Sequence, residues 1–155
     1  MLIPARAATD GTHGCCPFMS TKCSPEASVI LVVEDDDLVR LLAVDILEDA
    51  GFAVVEARHA DEAWFILPER SDIGVVFSDV DMPGSMNGVA LAERVYENRP
   101  DIRLVLTSGR HRFADHEVPD HGLFVPKPYA ASQVIDAIQD AALFRPSLKA
   151  LFITG

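Results

Sequence analysis

One stretch of the sequence limits the range of folds more than any other. The apolar run 73–78 ends at the carboxylate of Asp79 and is followed by a Pro-Gly turn, a pattern that predicts a buried strand entering a loop. A similar run, residues 29–33, ends at Glu34 and Asp35. If the two strands are parallel neighbours, the three carboxylates meet at one edge of the sheet. Because so many like charges need a counter-ion, we expect a cation to bind there.

Short apolar runs alternate with helical patterns along most of the chain. Strands are predicted at about 29–33, 53–56, 73–78, 102–106 and 122–125, and helices at about 38–50, 60–67, 88–98 and 131–143. Between the fourth and fifth strands, residues 110–120 show almost no apolar stripe, so the fourth helix of the series is expected to be short or irregular. The alternation predicts an α/β fold with a doubly wound, five-stranded parallel sheet and helices on both faces.

The first predicted helix is expected to bury one apolar stripe, whose members recur at helical spacing. The stripe comprises Leu38, Leu41, Leu42, Ile46 and Ala50. Asp36 and Asp37 precede this stripe, and we interpret them as capping residues and not as ligands, because Asp is a preferred cap.

The length and charge of the chain narrow the classes of function. A chain of 155 residues is long enough for one domain with a substantial core. Its 24 acidic and 13 basic residues give a net charge of −11, whereas a protein that binds a phosphate backbone needs a clustered basic face. We therefore expect no nucleic acid partner. No run approaches the roughly 18 apolar residues of a membrane span, and the N-terminus lacks the apolar region of a signal peptide, so we expect a cytoplasmic protein without membrane contact.

The ends of the chain differ in composition from its middle. Residues 1–27 are expected to form a disordered or loosely attached tail and residues 144–155 a second tail, on either side of a single domain at 28–143. All three cysteines lie in the first tail. An odd number of cysteines outside the core indicates free thiols in a reducing compartment.

Polar residues follow the predicted strands at the ends that a parallel sheet brings to one rim. They are Glu34, Asp35, Asp79, Thr107 and Lys127. Three acidic groups, a hydroxyl and an ammonium group suit a phosphoryl group with Mg²⁺, because Mg²⁺ prefers carboxylate, carbonyl and phosphate oxygens. Phosphoryl transfer itself needs little beyond positioning and charge neutralisation. The sequence therefore predicts a magnesium-dependent phosphoryl site.

Four segments at these strand ends resemble the four signatures of the receiver domain of two-component response regulators. They are Val32-Val33-Glu34-Asp35-Asp36, Ser78-Asp79-Val80-Asp81-Met82-Pro83, Leu106-Thr107-Ser108 and Lys127-Pro128. Each segment is short, but all four occur in the right order on the right strands, and the resemblance extends over about residues 28–143. It implies a flavodoxin-like fold with the strand order 2-1-3-4-5.

The resemblance implies a role for each acidic residue. Asp79 would be the phosphoacceptor, whose carboxylate takes a phosphoryl group from a phosphohistidine of a sensor histidine kinase or a histidine phosphotransfer protein. Mg²⁺ would be bound by Asp35 directly, by Glu34 through water, by Asp79, and by the main-chain carbonyl of Asp81. The protein would then be a phosphoacceptor and not an enzyme, apart from slow self-dephosphorylation. Gly109, which is small, would leave room for the attacking water.

The same resemblance implies a conformational switch. Lys127 would pair with the phosphoryl oxygens, Thr107 would move to bind the phosphoryl group, and Phe124 would turn inward behind it. A cis bond between Lys127 and Pro128 is implied as well. The usual output face cannot be transferred, because the segment between Thr107 and Phe124 is shorter than in the family. The downstream protein target is therefore unknown, and a homodimer is left open.

Few residues follow the last predicted helix, so we expect a stand-alone receiver that signals by protein–protein interaction. Two alternatives stay open. Asp79-Val80-Asp81, together with Lys127, also resembles motifs of a small magnesium-dependent phosphatase of the haloacid dehalogenase superfamily, although the acidic pair after the first strand would then have no task. A receiver-like docking scaffold that is never phosphorylated is the second alternative.

Overall fold

A computed structural model of the protein describes residues 28–143. Its strands are β1 (Val29–Val33), β2 (Val54–Ala57), β3 (Ile73–Asp79), β4 (Arg103–Ser108) and β5 (Leu123–Pro126). Within this range they form one parallel sheet in the order β2-β1-β3-β4-β5, which confirms the expected flavodoxin-like order. The tails predicted at 1–27 and 144–155, with all three cysteines, lie outside the described residues.

Four α-helices accompany the sheet in the described part of the chain. They are α1 (Asp37–Asp49), α2 (Ala60–Ile66), α3 (Gly88–Asn98) and α4 (Ala131–Leu143). Helices α1 and α4 pack on one face of the sheet, and α2 and α3 pack on the other, which confirms the doubly wound arrangement. No helix between residues 28 and 143 combines the length and the apolar character that a membrane crossing requires.

The two helical layers explain why β1 is apolar at every position. Ile30 and Val32 belong to the core beneath α1 and α4, whereas Leu31 and Val33 belong to the core beneath α2 and α3. Successive side chains of a strand point to opposite faces, so a strand covered on both sides needs apolar residues throughout. This burial holds the end of β1 in a fixed position, from which the next residues enter the site.

The segment between β4 and β5 replaces an α-helix with two short 3₁₀ turns, at Asp115–Glu117 and Pro119–His121. This confirms the expectation of a short or irregular fourth helix. The end of the segment is fixed by Arg103 on β4, whose Nη1 donates to Oδ2 of Asp120 at 2.6 Å. Asp120 has a φ of 60°, a left-handed conformation that aspartate tolerates better than most residues.

The apolar stripe predicted for α1 is wrong for its leucines, whereas Ile46 is half-buried against the core beneath α1 and α4. Leu38, Leu41 and Leu42 are 78 %, 55 % and 53 % exposed. The helix buries another set of residues, Arg40, Ala43, Val44 and Leu47. An apolar period shows that a helix has a stripe, but it cannot distinguish the stripe that meets the sheet from a second one that faces outward. In α1 the sheet-facing stripe includes the charged residue Arg40, which a search for apolar periodicity does not detect.

Candidate functional site

The carboxyl ends of β1 and β3 bring three acidic side chains together. Val33 on β1 lies beside Ser78 on β3 in the parallel register. The residues that follow them, Glu34 and Asp79, are therefore neighbours. One carboxylate oxygen from each of Glu34, Asp35 and Asp79 lies within 4.8 Å of the others. Glu34 and Asp79 are buried, at 4 % and 5 % exposure, whereas Asp35 is exposed. We call these three residues the acidic cluster.

Lys127 supplies a positive charge to the acidic cluster. Its Nζ lies 2.6 Å from Oε2 of Glu34 and 3.3 Å from Oδ2 of Asp79. It follows β5 directly, and its backbone N–H donates to the carbonyl of Ser108 at 2.9 Å. The bond between Lys127 and Pro128 is cis, as the resemblance implied. Lys127 thus bridges the two buried carboxylates.

Burial and charge shift the pKa values of these groups. Burial raises the pKa of Glu34 above its ordinary value, an effect that the hydrogen bond from Lys127 opposes. Burial also raises the pKa of Asp79, against the attraction of Lys127. For Lys127, burial acts to lower the pKa, but the hydrogen bond and attraction to Glu34 raise it overall. One ammonium group therefore leaves the two buried carboxylates incompletely compensated.

The donor set of the acidic cluster fits a hard divalent cation. Carboxylate oxygens are ligands that Mg²⁺ prefers, and three of them lie within 4.8 Å of one another. Asp35 is exposed, so the cluster is open to solvent on its side. The backbone of Asp81 borders the cluster, because its N–H contacts Oδ1 of Asp79 at 3.3 Å.

Arg40 is a second cation next to the acidic cluster, and sequence reasoning missed it. It is 7 % exposed, and its Nη1 donates to the main-chain carbonyl of Glu34 at 2.9 Å. Its Nε donates to Glu56 on β2 at 3.1 Å, and Asp37 forms an ion pair with it. Asp36 caps α1 as expected, since its side chain accepts from two backbone N–H groups of the first turn. Arg40 therefore fixes the backbone of the loop that carries the first two members of the acidic cluster.

Asp81 contacts two residues to which the sequence gave no site role. Its Oδ2 accepts a hydrogen bond from the Ser108 hydroxyl at 2.6 Å, and its Oδ1 lies 3.1 Å from Nδ1 of His111. Ser108 ends β4, and His111 lies in the loop beyond it. These contacts depend on how two loops approach each other in space, so no local sequence pattern could predict them.

The two proposed switch residues lie on neighbouring strands. Thr107 is paired with Asp79 across β4 and β3 and is 1 % exposed, and its hydroxyl has no hydrogen-bond partner among residues 28–143. Phe124 is half-buried on β5 and packs edge-on against Phe113 at 5.5 Å between ring centres. A buried hydroxyl without a partner is unfavourable, so the position of Thr107 suits a side chain that acquires a partner in another state.

An open cavity of about 770 Å³ lies over the acidic cluster. The charged and basic residues of its wall are Glu34, Asp35, Asp36, Asp79, Asp81, Arg110, His111 and Lys127. Gly109 also lines the cavity. Gly88, at the start of α3, packs so tightly against β3 that a Cβ there would collide with the carbonyl oxygen of Asp79. Close helix packing thus contributes to the position of the central carboxylate.

The sheet order and the acidic pocket together define a class of protein. The response regulator receiver domain family matches residues 30–139, and the chain belongs to this family. Receiver domains are phosphoacceptor signalling domains of two-component systems. They bind Mg²⁺ at an acidic pocket and interact with histidine kinases or phosphotransfer proteins.

Individual relatives agree with this assignment. The chain is 33 % identical to the sensor kinase CckA of Brucella abortus over 74 % of this chain and 12 % of that protein. It is 29 % identical to a chemotaxis protein CheY homologue of Campylobacter jejuni over 72 % of this chain and 89 % of that protein. A solved response regulator receiver protein from Sinorhizobium medicae superimposes with a TM-score of 0.71 at 27 % identity, covering 79 % of this chain and 99 % of that one. The chain therefore spans a small part of the kinase and most of the other two proteins.

Proposed function

We propose that this protein is a cytoplasmic response regulator that receives a phosphoryl group on Asp79 from a histidine kinase or a histidine phosphotransfer protein, and then signals by protein–protein contact. The proposal rests on one observation: Asp79 lies next to the rest of the acidic cluster and to Lys127, beneath one open cavity. The nucleophile and a cation for the incoming phosphoryl group are thus side by side.

The transfer forms one bond and breaks another. An oxygen of Asp79 attacks the phosphorus of the phosphohistidine, so that an O–P bond forms while the N–P bond breaks and its electron pair returns to the imidazole. Lys127, 3.3 Å from Oδ2 of Asp79, can turn from the carboxylates to the phosphoryl oxygens. The acidic cluster and the main-chain carbonyl of Asp81 would hold Mg²⁺, which would neutralise further negative charge on the phosphoryl group.

Thr107 and Phe124 are proposed to convert phosphorylation into a change of surface. The unpartnered hydroxyl of Thr107 lies on the strand next to Asp79 and would gain a hydrogen bond from binding a phosphoryl oxygen. Phe124 would then turn inward, and Phe113, which contacts both Phe124 and the cavity, would move with it. The irregular segment between β4 and β5 would therefore present the signal to the downstream protein.

The exposed leucines of α1 support a docking role for that helix. Leu38, Leu41 and Leu42 lie at i, i+3 and i+4 and are exposed, and the intervening Val39 lines the cavity over Asp79. A partner that delivers a phosphohistidine must cover the mouth of this cavity. An apolar surface beside it is suited to the partner's helices.

Intact-mass measurement after incubation with Mg²⁺ and acetyl phosphate tests the phosphoacceptor role. The wild type should gain one phosphate only when Mg²⁺ is present, Asp79→Asn should gain none, and Asp45→Asn on the exposed side of α1 should behave as the wild type. Rapid release of free phosphate without an adduct would favour the phosphatase alternative. If neither a phosphate adduct nor free phosphate is detected, the docking scaffold is the favoured alternative.

The docking role needs a separate measurement. Leu41→Arg should slow transfer from an autophosphorylated histidine kinase core by at least about tenfold, because a charge replaces an apolar contact at the interface centre. Phosphorylation by acetyl phosphate should stay at the wild-type rate. Phe65→Arg on α2, where the side chain is 77 % exposed, is the matched control and should affect neither reaction. Equal slowing of both reactions by Leu41→Arg would contradict a docking role.

A further inference from the structure

The carboxylate of Asp81 lies on the wall of the cavity but outside the acidic cluster. Its side chain is 30 % exposed and lines the cavity together with Asp79. The carboxylate oxygens that lie within 4.8 Å of one another belong to Glu34, Asp35 and Asp79. A fourth carboxylate is thus held away from the cluster, although it follows Asp79 by two residues.

Ser108 holds this carboxylate in place. Its hydroxyl oxygen accepts hydrogen bonds from the backbone N–H groups of Arg110 at 3.1 Å and His111 at 2.9 Å. Because these bonds use both lone pairs, the hydroxyl hydrogen is left to donate to Oδ2 of Asp81 at 2.6 Å. Nδ1 of His111 lies 3.1 Å from the other oxygen, Oδ1. Both oxygens of Asp81 therefore have partners on the β4 side of the cavity.

We propose that Ser108 is a positioning residue, which keeps the Asp81 carboxylate out of the acidic cluster. The site then binds a divalent cation less tightly but admits an anionic phosphodonor more readily. A released Asp81 side chain could turn into the cavity as a fourth carboxylate. Affinity for a divalent cation rises with the number of charged oxygen ligands, whereas added negative charge repels an anionic phosphodonor. Loss of this tether, the hydrogen bond from Ser108 to Asp81, therefore strengthens cation binding and slows phosphorylation. A general loosening of the site would instead weaken cation binding as well as slow phosphorylation.

Ser108→Ala tests this inference, whose kinetic part rests on the proposed function. The two readouts are the Mg²⁺ dissociation constant of the unphosphorylated protein, measured by calorimetry, and the rate of phosphorylation by acetyl phosphate at saturating Mg²⁺. We expect both quantities to fall about fivefold to tenfold, because the released Asp81 charge moves closer to the cation and to the incoming anion in a partly screened cavity. Mg²⁺ should thus bind more tightly while phosphorylation becomes slower.

Ser85→Ala is the matched control for the loss of a hydroxyl. The Ser85 hydroxyl donates to Asp61 at the same distance of 2.6 Å, and neither residue lines the cavity. Both readouts should therefore keep their wild-type values in this variant. Ser108→Cys, which has a similar volume and a weaker donor, should shift both readouts in the same sense as Ser108→Ala but less. It serves as the test if circular dichroism shows that Ser108→Ala does not fold.

Asp81→Asn separates the tether from other effects of losing the hydroxyl. In an Asp81→Asn background, adding Ser108→Ala should change neither readout, because no carboxylate is left to release. Weaker or unchanged Mg²⁺ binding in Ser108→Ala overturns the inference, and so does a change that persists in the Asp81→Asn background. If the wild type accepts no phosphate, the proposed function fails, while the Mg²⁺ titrations still decide whether Ser108 holds Asp81 away from the cluster.

Discussion

Replacing Asp79 by asparagine should stabilise the metal-free protein, although it removes the proposed phosphoacceptor. At an effective dielectric constant of about 20, the attraction of Asp79 to Lys127 over 3.3 Å is worth about 5 kcal/mol. Repulsion from Glu34 at up to 4.8 Å is worth at least about 3.5 kcal/mol, and repulsion from the better solvated Asp35 about 1 kcal/mol. These Coulomb energies nearly cancel, so the desolvation of the buried carboxylate is left largely uncompensated. After an allowance for its backbone hydrogen bond, we expect the free energy of unfolding to rise by about 2 kcal/mol.

The gain in stability should depend on pH in a fixed direction. Burial raises the pKa of Asp79 above its ordinary value of 3.8. An acid whose pKa is raised by folding binds more protons in the folded state, so it lowers stability increasingly as the pH rises from its unfolded pKa to its folded one. At lower pH the carboxyl group is protonated in both states, and its effect disappears. The advantage of Asp79→Asn should therefore be largest at neutral pH and shrink as the pH is lowered to about 4.

Thermal and urea unfolding in EDTA measure this difference, which corresponds to a rise in Tm of roughly 6–10 °C for a domain of this size. Asp45→Asn, at an exposed position of α1, is the matched control and should change stability by less than about 0.5 kcal/mol. Saturating Mg²⁺ should stabilise the wild type more than Asp79→Asn, because the variant has lost one ligand charge. If Asp79→Asn is less stable than the wild type in EDTA, the reasoning is refuted, since Lys127 would then overcompensate the buried charge.

Gly88→Ala should impair folding and phosphorylation together, because its Cβ would collide with the carbonyl oxygen of Asp79. Gly109→Ala, whose Cβ would meet its nearest neighbour at 3.8 Å, should fold normally by circular dichroism. Gly109→Leu should slow the decay of the phosphorylated protein, because a bulky side chain on the cavity wall obstructs the attacking water; an unchanged decay rate would remove that role. Asp120→Asn should lower the free energy of unfolding in urea by about 2–3 kcal/mol, because it takes a carboxylate from the buried guanidinium of Arg103. Asparagine still tolerates the φ of 60° at this position, so an unchanged midpoint would show that the ion pair contributes little.

The strands could be predicted from the sequence because their burial is a local property of the chain. A strand covered by helices on both faces is apolar at every position and ends where the chain returns to solvent, as β1 and β3 do. The helices and strands therefore begin and end within two residues of the predicted positions. The same logic located the acidic cluster, since parallel strands bring their carboxyl ends to one rim.

The outward face of α1 could not be predicted in the same way. Leu38, Leu41 and Leu42 have the spacing of a buried stripe, and their exposure is decided by which side of the helix meets the sheet. Arg40 is acceptable on the buried side because three oxygen atoms surround its guanidinium, and one of them belongs to Glu56 on β2, which is remote in sequence. An exposed apolar stripe next to a reactive cavity is the kind of exception that a binding surface produces. The misassigned face is therefore informative about function.

The two cations of the site, Arg40 and Lys127, differ in how they can respond when a phosphoryl group binds. Arg40 bonds the main-chain carbonyl of Glu34 at 2.9 Å and is held by two further carboxylates, so its planar guanidinium maintains the loop. Lys127 instead contacts the side chains of Glu34 and Asp79 as a single ammonium group on a flexible stem. Only a cation of the second kind can leave its carboxylates for a phosphoryl group without dismantling the backbone around them. Division of the positive charge into one fixed and one movable group therefore allows the site to accept a phosphoryl group while its loop keeps its shape.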